Sequence, residues 1–299
     1  MNWNRFTAPN IGLLVYKRLY IERAVKERIV FSEENMLKFY ERDNEKTTPF
    51  DAFYKAVFDK KLSGYTQIEN VAATNRFNLQ TTYPGLLCGS GYTHDSNAKG
   101  DMKVGFYFDH TTGQPVIPGS SIKGVIKRVF ENENDVTDNT SLDALKFIVD
   151  EIIDNCPKEH KEQEKKQWDL FLQDLDVAAL KKLKEQIFGK EDTEGKDVFF
   201  DAVIDIKETG KNKNFLASDF ITPHPDPLKN PTPLMFIKVL SEITFEFRFK
   251  LTDSKAKIEK GNKNEEIILS ARQKEKIFEE IIKTVGVGAK TNVGYGQFQ

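Results

Sequence analysis

The chain has 299 residues, of which 39% are hydrophobic, so its composition suits a folded protein with one large or two smaller domains. The formal net charge of −2 gives no overall basic character that would announce nucleic acid, although a local basic patch is compatible with that balance. Two cysteines, Cys88 and Cys156, argue against a disulfide scaffold and exclude cysteine-based zinc spacing. Without a signal pattern or an apolar run of about 18 residues, we expect a cytoplasmic protein.

The first half of the chain changes from helical to strand-like patterning. Apolar and charged residues alternate with helical spacing through residues 11–70, which predicts a helical N-terminal part. FNLQTTY and VGFYFD alternate with period two and predict strands, separated by the glycine-rich GLLCGSGYTHDSNAKGD. TTGQPVIPGS has turn chemistry, and SSIKGVIKRVFE predicts a helix that serine caps.

The second half alternates again between strands and helices. We predict a charged helical insertion at 131–197, a strand at 198–206, a strand or bent hairpin at 236–250, an amphipathic helix at 270–285 and a closing strand at 292–298. TPHPDPLKNPTPL predicts a proline-rich loop, and KNKNFL and KIEKGNKNEE predict exposed loops.

The order of these elements predicts a fold class. With the insertions set aside, it reads β (77–83), α (120–131), β, β, α, β, which is the split βαβ order of ferredoxin-like folds. We therefore predict an α+β protein with a ferredoxin-like (RRM-like) core at 77–299, interrupted by the helical insertion. An N-terminal helical lobe at 1–76 is expected to pack on that core.

The chain closes on VGVGAKTNVGYGQF, which resembles a phosphate-binding loop only superficially. The P-loop pattern needs glycine before the lysine, where Ala289 stands, and another glycine five residues earlier, where Thr284 stands. A dinucleotide fingerprint needs a following helix, and none follows. Four glycines surround Lys290, Thr291 and Asn292 at positions Gly286, Gly288, Gly294 and Gly296. The density of glycine favours a ligand-contacting loop whose N–H groups form an anion nest, and the alternative is a plain tight turn.

A second segment, IPGSSIKGVIKRVFE, also suits a phosphate backbone. Pro118 and Gly119 turn the chain, and Ser120 and Ser121 can cap the helix that follows. Lys123, Lys127 and Arg128 lie on one side of that helix. The alternative is an ordinary capped surface helix. If both segments bind one strand, their amides and cations should meet on one surface.

Together, the two segments resemble those of the RAMP superfamily of CRISPR-associated proteins. More specifically, the chain is similar to the sixth-subunit family of Cmr (type III-B) effector complexes. The resemblance is carried, in order, by NIGLLVYKR, TTYPGLLCGSGYTHD, KVGFYFDHTTGQPVIPGSSIKG, IFGKEDTEGKDVFFDA, SDFITPHPDP and the glycine-rich end.

This resemblance implies a non-catalytic subunit that binds guide RNA (crRNA) near its 3′ end and uses no cofactor or metal. Its expected partners are the guide RNA, the target RNA and other Cmr-type subunits. The RNA contacts that it implies are Gly119, Ser120, Ser121, Lys123, Lys127, Gly286, Gly288, Lys290, Thr291, Asn292, Gly294 and Tyr295. Gly89, Ser90 and Gly91 are weaker candidates.

The alternative function is a RAMP-family ribonuclease, either guide-processing or target-cleaving. Its candidate acids, bases and metal ligands are His94, Asp95, Asp101, Asp109, His110 and His224. Adjacent His-Asp residues point to opposite sides of an extended chain, so we interpret them as loop residues. Tyr83, Tyr92 and Tyr295 could stack on bases or serve as packing residues.

Overall fold

The computed structural model describes residues 57–59, 61–62, 72–87, 107–109, 111–131, 139–211, 213–221, 234–260 and 263–299. Most of the predicted N-terminal helical lobe lies outside these residues. The Gly89–Gly91 segment and the proline-rich loop lie outside them as well.

A five-stranded antiparallel sheet forms the centre of the described chain. Its strands are β1 (Asn75–Gln80), β2 (Val116–Ile117), β5 (Val198–Phe199), β6 (Ala202–Ile204) and β9 (Thr244–Lys250). They are arranged in the order β1-β9-β6-β2, and β5 also pairs with β9. The end of the chain extends this sheet beyond β1, because Phe298 bridges Thr81 and the main chains of Gln80 and Gln299 exchange two 2.9 Å hydrogen bonds.

Six α-helices accompany the strands in the described chain. They are α1 (Gly119–Val129), α2 (Thr140–Asp154), α3 (Lys158–Gln173), α4 (Val177–Phe188), α5 (Ile206–Thr209) and α6 (Ala271–Val285). The protein is therefore of mixed helix and sheet class, and helices occupy most of the predicted insertion. None of the described helices is long and apolar enough to span a bilayer.

Alternate residues of β9 point into the hydrophobic core. Phe245, Phe247 and Phe249 are fully buried, and Phe278 of α6 lies 5.6 Å from Phe249, measured between ring centroids. Helices α1 and α6 contact each other on this side of the sheet. Alternate strand residues point to opposite faces, so Glu246 and Arg248 lie on the other face, where they form a 2.6 Å ion pair.

In the part of the chain that the structure describes, three two-stranded ribbons accompany the sheet. They are β3 (Gly189–Lys190) with β4 (Thr193–Glu194), β7 (Leu216–Ile221) with β8 (Leu234–Val239), and β10 (Ser254–Lys260) with β11 (Lys263–Leu269). The loop predicted for KIEKGNKNEE is therefore wrong, because residues 257–260 pair with residues 263–266 across β10 and β11.

Two local predictions also need correction. Strand β2 lies within the segment predicted as a turn, where Val116 and Ile117 pair with β6. The closing strand predicted at 292–298 is largely wrong, because Thr291–Val293 form a 3₁₀ turn and pairing starts only near Gln297. Positive φ angles at Gly294 and Gly296 keep this segment from extending earlier.

Glu280 on α6 gives a testable pH dependence. It is 8% exposed, and burial raises the pKa of its carboxyl, an effect that Lys283 opposes and Glu151 and Glu279 reinforce. A raised folded-state pKa means that this contribution to stability is present at acidic pH and is lost as pH rises through the raised value. We expect Glu280→Gln to raise Tm by about 1 to 3 °C at pH 7, with the gain shrinking toward pH 4.

Thermal unfolding at both pH values measures this difference. The matched control is Glu279→Gln on the same helix, whose carboxylate accepts a 2.6 Å hydrogen bond from Lys283. This control should show no gain at pH 7. A lower Tm for Glu280→Gln at pH 7 would contradict the expectation.

Candidate nucleic-acid interface

The glycine-rich segment that follows α6, residues 286–296, is here named the closing loop. Helix α6 ends where Gly286 N donates to Ile282 O at 2.9 Å. Three further hydrogen bonds hold the loop down: Val287 N to Gly296 O, Gly296 N to Gly85 O and Ala289 N to Leu87 O, at 2.8–2.9 Å. The loop is thus fastened both to itself and to the segment after β1.

Close backbone approach explains three of the glycines. A Cβ on Gly286 would lie 2.6 Å from Gly296 O. A Cβ on Gly288 would lie 2.5 Å from Leu87 O, and one on Gly296 would lie 2.1 Å from Val287 O. Both residues also have positive φ angles, 107° and 69°. The amides of Gly286, Gly294 and Gly296 all donate to carbonyls within the protein. These three glycines therefore shape the loop, and their N–H groups are not offered to a ligand.

At the tip of the closing loop, three backbone N–H groups are left without an acceptor in the described chain, and we call them the open amides. Lys290 adopts the left-handed conformation with φ 61°, and the 3₁₀ turn Thr291–Val293 follows it. Within the chain that the structure describes, the N–H groups of Lys290, Thr291 and Asn292 donate to no acceptor. Successive amides that follow such a left-handed residue form an anion-binding concavity. Lys290 and Asn292 are exposed, so the predicted nest lies at the surface.

Tyr295 lies beneath the loop. It is 8% exposed, its hydroxyl donates to Asp219 at 2.7 Å, and Lys238 Nζ lies 2.6 Å from the same carboxylate. Burial, then the hydrogen bond to Asp219, raises the pKa of Tyr295. Burial also opposes ionisation of Asp219, but hydrogen bonds from Lys238 and Tyr295 keep the pKa of that carboxyl low. Tyr295 therefore anchors the loop to the β7–β8 ribbon, and its buried ring does not support the predicted RNA contact.

Sequence reasoning missed Asp219 and Lys238 as supports of the loop. They are diagonal neighbours on paired strands β7 and β8, on either side of a segment interpreted as proline-rich loop. The strand predicted for MFIKVL was the available signal, because it placed Lys238 in a strand that needed a partner.

An exposed aromatic ring stands beside the loop. Tyr83 is 85% exposed, its neighbour Thr82 donates to Gln297 O at 3.0 Å, and Pro84 Cδ is the atom that a Cβ on Gly294 would meet at 3.3 Å. Of the two described tyrosines considered for stacking, Tyr83 has an accessible ring and Tyr295 does not; Tyr92 lies outside the described residues. An aromatic face next to open amides is the arrangement that single-stranded nucleic acid uses.

The start of α1 is built differently from the prediction. The helix begins at Gly119 with no side-chain cap from its own segment, and Asp201 instead accepts a 2.7 Å hydrogen bond from Gly119 N. Gly119 is buried, and a Cβ there would lie 2.3 Å from Phe199 O. The predicted serine cap is therefore wrong, because a carboxylate from a distant segment takes its place. Ser120 is exposed and Ser121 is half-buried.

The two lysines predicted to bind RNA on α1 already have partners within the protein. Lys123 Nζ donates to Phe188 O at 3.0 Å, at the end of α4. Lys127 lies 2.8 Å from Glu131, which also lies 3.3 Å from Lys184. Hydrogen bonds from Lys127 and Lys184 hold the pKa of the Glu131 carboxyl low, although burial opposes them. Lys123 thus ties α1 to α4, whereas Lys127 pairs with Glu131, which lies just after α1 and itself contacts Lys184 of α4.

The register of the sheet separates the two predicted segments. The start of α1 lies beside Phe199, which pairs with Phe249, whereas the closing loop lies beyond Gln80, which pairs with Thr244. At about 3.3 Å per residue along β9 and about 4.8 Å between strands, the two segments are roughly 20 Å apart. The two segments therefore do not lie side by side, and the expectation that one strand binds both stays a prediction. The candidate site is centred on the closing loop.

Of the residues considered for catalysis, only Asp109 is described. Its carboxylate accepts hydrogen bonds from Thr111 N and from Thr112 N and Oγ1, which is the role of a turn residue. His94, Asp95, Asp101, His110 and His224 lie outside the described residues. Among the residues that the structure describes, no three His, Cys, Asp or Glu side chains cluster as metal ligands would.

Comparison with known proteins adds a family relationship. The RAMP superfamily model matches residues 78–299. The CRISPR system Cmr subunit Cmr6 of Pyrococcus furiosus is 30% identical over 273 residues, which cover 81% of this chain and 72% of that protein.

Two solved structures are also similar. A chain in the cryo-EM structure of type III-B Cmr-beta bound to cognate target RNA is 18% identical, with 97% of this chain and 90% of that chain covered and a TM-score of 0.46. The crystal structure of Cmr6 from Pyrococcus furiosus is 22% identical, with 75% and 95% covered and a TM-score of 0.37.

Proposed function

Because this chain belongs to the RAMP superfamily of CRISPR-associated proteins and is related to Cmr6, we propose that it is a guide-RNA-binding subunit of a type III-B effector complex. In this role it is non-catalytic and cytoplasmic, and it holds the guide near its 3′ end. Its partners are the guide RNA, the target RNA and other Cmr-type subunits. The family relationship is what supports the proposed position on the guide and the proposed subunit contacts.

The topology supports a ferredoxin-like core. Strand β1, helix α1, strands β6 and β9, helix α6 and the terminal segment follow one another along the chain. In the sheet, the terminal segment, β1, β9 and β6 are neighbours in that order, and each is antiparallel to the next. This is the strand arrangement expected of a split βαβ fold.

The observation that carries the RNA-binding role is the tip of the closing loop. Three successive open amides and the exposed Lys290 ammonium offer donors and charge without any group that distinguishes one base from another. Tyr83 adds a face on which an unpaired base can stack, whatever its identity. A subunit that accepts guides of many sequences needs contacts of this kind.

Replacing Lys290 tests this role. We expect Lys290→Glu to weaken binding of single-stranded RNA by roughly tenfold or more, because it places a negative charge beside the phosphate. Lys290→Gly should weaken binding only a few-fold and lower the salt slope by about 0.7, because it removes one cation and keeps the open amides. The same change should stabilise the chain by about 1 kcal/mol, because glycine adopts the left-handed conformation without strain.

Fluorescence anisotropy with labelled oligo(U) at several salt concentrations measures these effects. The control is Lys146→Glu, an equal charge change at an exposed position of α2. Tyr83→Ala should weaken binding of single-stranded RNA more than binding of duplex RNA. Equal losses for Lys290→Glu and Lys146→Glu would contradict the closing-loop site. Cleavage of the RNA on addition of Mg²⁺ would favour the ribonuclease alternative.

A further inference from the structure

A groove rich in lysine lies between α4, the β3–β4 ribbon and β10. It has a volume of about 520 Å³, and five of its lining residues are Lys182, Lys190, Lys196, Lys255 and Lys257. We name it the lysine groove. It lies past the Lys250 end of β9, whereas the closing loop lies past the Thr244 end. The two sites are therefore separate.

The groove is strongly positive on a chain that is negative overall. Its five lysines face only two lining carboxylates, Glu185 and Glu194, which leaves a formal charge of +3 against −2 for the whole chain. Lys190 lies 3.8 Å from Glu185, and Lys255 lies 3.1 Å from Glu266. Within the described ranges, the exposed Lys196 and Lys257 have no carboxylate partner. Such a concentration of unmatched cations attracts an anionic ligand.

The strand that forms one wall of the groove cannot accept a peptide strand there. Lys182 Nζ donates to Lys257 O at 2.9 Å, and Gln186 Nε2 donates to Lys255 O at 2.6 Å. Lys255 N in turn donates to Gln186 Oε1 at 3.1 Å. These side chains of α4 occupy the β10 main-chain groups that strand addition would use. The groove therefore recruits a ligand through charge rather than through main-chain pairing.

The spacing of the cations suits a repeating polyanion. Lys255 and Lys257 lie on the same side of β10 with the buried Ala256 between them, so their Cα atoms are about 6.6 Å apart. This distance is comparable with the repeat between successive phosphates of an extended RNA strand. Among the described residues that line the groove there is no arginine and no aromatic side chain, so planar recognition and base stacking are not the chemistry of this lining. Lysine ammonium groups contact phosphates as point charges.

We propose that the lysine groove binds the sugar-phosphate backbone of single-stranded RNA, as a second contact independent of the closing loop. The inference rests on the proposed function in one respect, that the ligand of this subunit is RNA. It adds a second surface, on the side of the molecule formed by α4 and the β10–β11 ribbon.

The test uses the full chain, labelled oligo(U) and the double variant Lys196→Glu/Lys257→Glu. We expect binding roughly tenfold weaker at low salt, and a salt slope reduced by about 1.4, because two phosphate contacts of about 0.7 each are lost. The matched control is Lys146→Glu/Lys165→Glu, which makes the same charge change at two exposed helical positions. In the wild-type chain, RNA should also protect Lys196 and Lys257 from chemical acetylation.

The outcomes separate this inference from the closing-loop site. Loss of binding in Lys290→Glu, with the groove variant no weaker than its control, would overturn the groove and leave the proposed function intact. Loss in both, with protection of Lys196 and Lys257, supports both sites. A groove variant that binds RNA normally but fails to assemble with other subunits would show that the groove receives an acidic protein surface instead. If wild-type protein bound no RNA, both proposals would fail.

Discussion

Replacing Lys274 by methionine should lower the free energy of unfolding by about 3 to 5 kcal/mol, because it leaves a buried carboxylate without its cation. Lys274 and Asp197 have fully buried side chains, and their charged atoms lie 2.5 Å apart. Lys274 Nζ also donates to Thr252 O at 2.7 Å and to Ser254 Oγ at 2.8 Å. Burial lowers the pKa of the Lys274 amine, an effect that Asp197 opposes.

The expected loss of stability is large because the hydrogen-bond network around Lys274 and Asp197 joins three segments of the chain. Asp197 Oδ1 accepts hydrogen bonds from Thr252 N at 2.9 Å and from Thr252 Oγ1 at 3.2 Å. The first turn of α6, the segment before β5 and the turn between β9 and β10 therefore meet at one buried ion pair. Removing the lysine leaves the desolvation cost of Asp197 and removes three hydrogen bonds.

Chemical denaturation measures the change, and a second lysine on the same helix provides the control. Lys276 forms an ion pair with Glu164 and is one-third exposed, so Lys276→Met should cost less than about 1 kcal/mol. Adding Asp197→Asn to Lys274→Met should recover part of the loss, because the charge is removed while an oxygen remains for Thr252. Equal costs for the two single variants would refute the buried-pair explanation.

The core could be predicted from the sequence because periodicity and burial coincide there. The alternation of Phe245, Phe247 and Phe249 predicted a strand, and the helical spacing of Ile277, Phe278 and Ile281 predicted a helix. Both predictions are confirmed, as β9 and α6. In each case, one face of the element is strongly apolar, so the pattern itself reports which side is buried.

Ribbons with few apolar residues could not be predicted in this way. The β10–β11 ribbon buries Ala256, Ile267 and Leu269, while lysines and glutamates fill most of the intervening stretch that was predicted as loop. Its pairing depends on main-chain hydrogen bonds across seven registered residue pairs. A charged, glycine-containing stretch of this kind gives the same composition whether it is paired or free, so its sequence was interpreted as loop.

The candidate site shows the same difference between features that local sequence determines and features that depend on residues far apart in the chain. The exposed, lysine-bearing tip of the closing loop could be predicted because glycine spacing and charge are local properties. The cap of α1 could not, because Asp201 reaches Gly119 from 82 residues further along the chain. The distance between α1 and the closing loop depends on sheet register, which local pattern does not report. The RNA contacts themselves stay a prediction.

Replacing Gly296 by alanine should destabilise the protein by about 3 kcal/mol or more and abolish RNA binding by the closing loop. The new Cβ would lie 2.1 Å from Val287 O, and Gly296 has φ 69°. Main-chain atoms form the obstacle, so no side-chain rotation can relieve the overlap. The loop must then move away from Gly85 or from Val287, and either movement breaks a hydrogen bond of 2.8–2.9 Å.

Alanine substitutions at two other glycines separate the energetic cost of the steric overlap from the cost of the positive-φ conformation. Gly210 has φ 93° and ψ 142°, and a Cβ added there would meet no atom within 4 Å, so Gly210→Ala carries only the cost of this glycine-type backbone conformation, about 1–3 kcal/mol. Gly124 lies within α1 with the same open space, so Gly124→Ala should stabilise the chain by about 0.5–1 kcal/mol. Denaturation and oligo(U) binding are measured on all three variants.

These variants test whether the conformation of the closing loop determines its affinity for RNA. If Gly296 holds the open amides of Lys290–Asn292 in place, Gly296→Ala should lose RNA affinity even at temperatures where it remains folded, whereas Gly210→Ala should keep it. The hydrogen bond from Gly296 N to Gly85 O joins the loop to the segment that carries Tyr83, so the same change should also displace the aromatic ring from the amides. A folded Gly296→Ala variant with wild-type affinity would show that RNA does not bind at this loop.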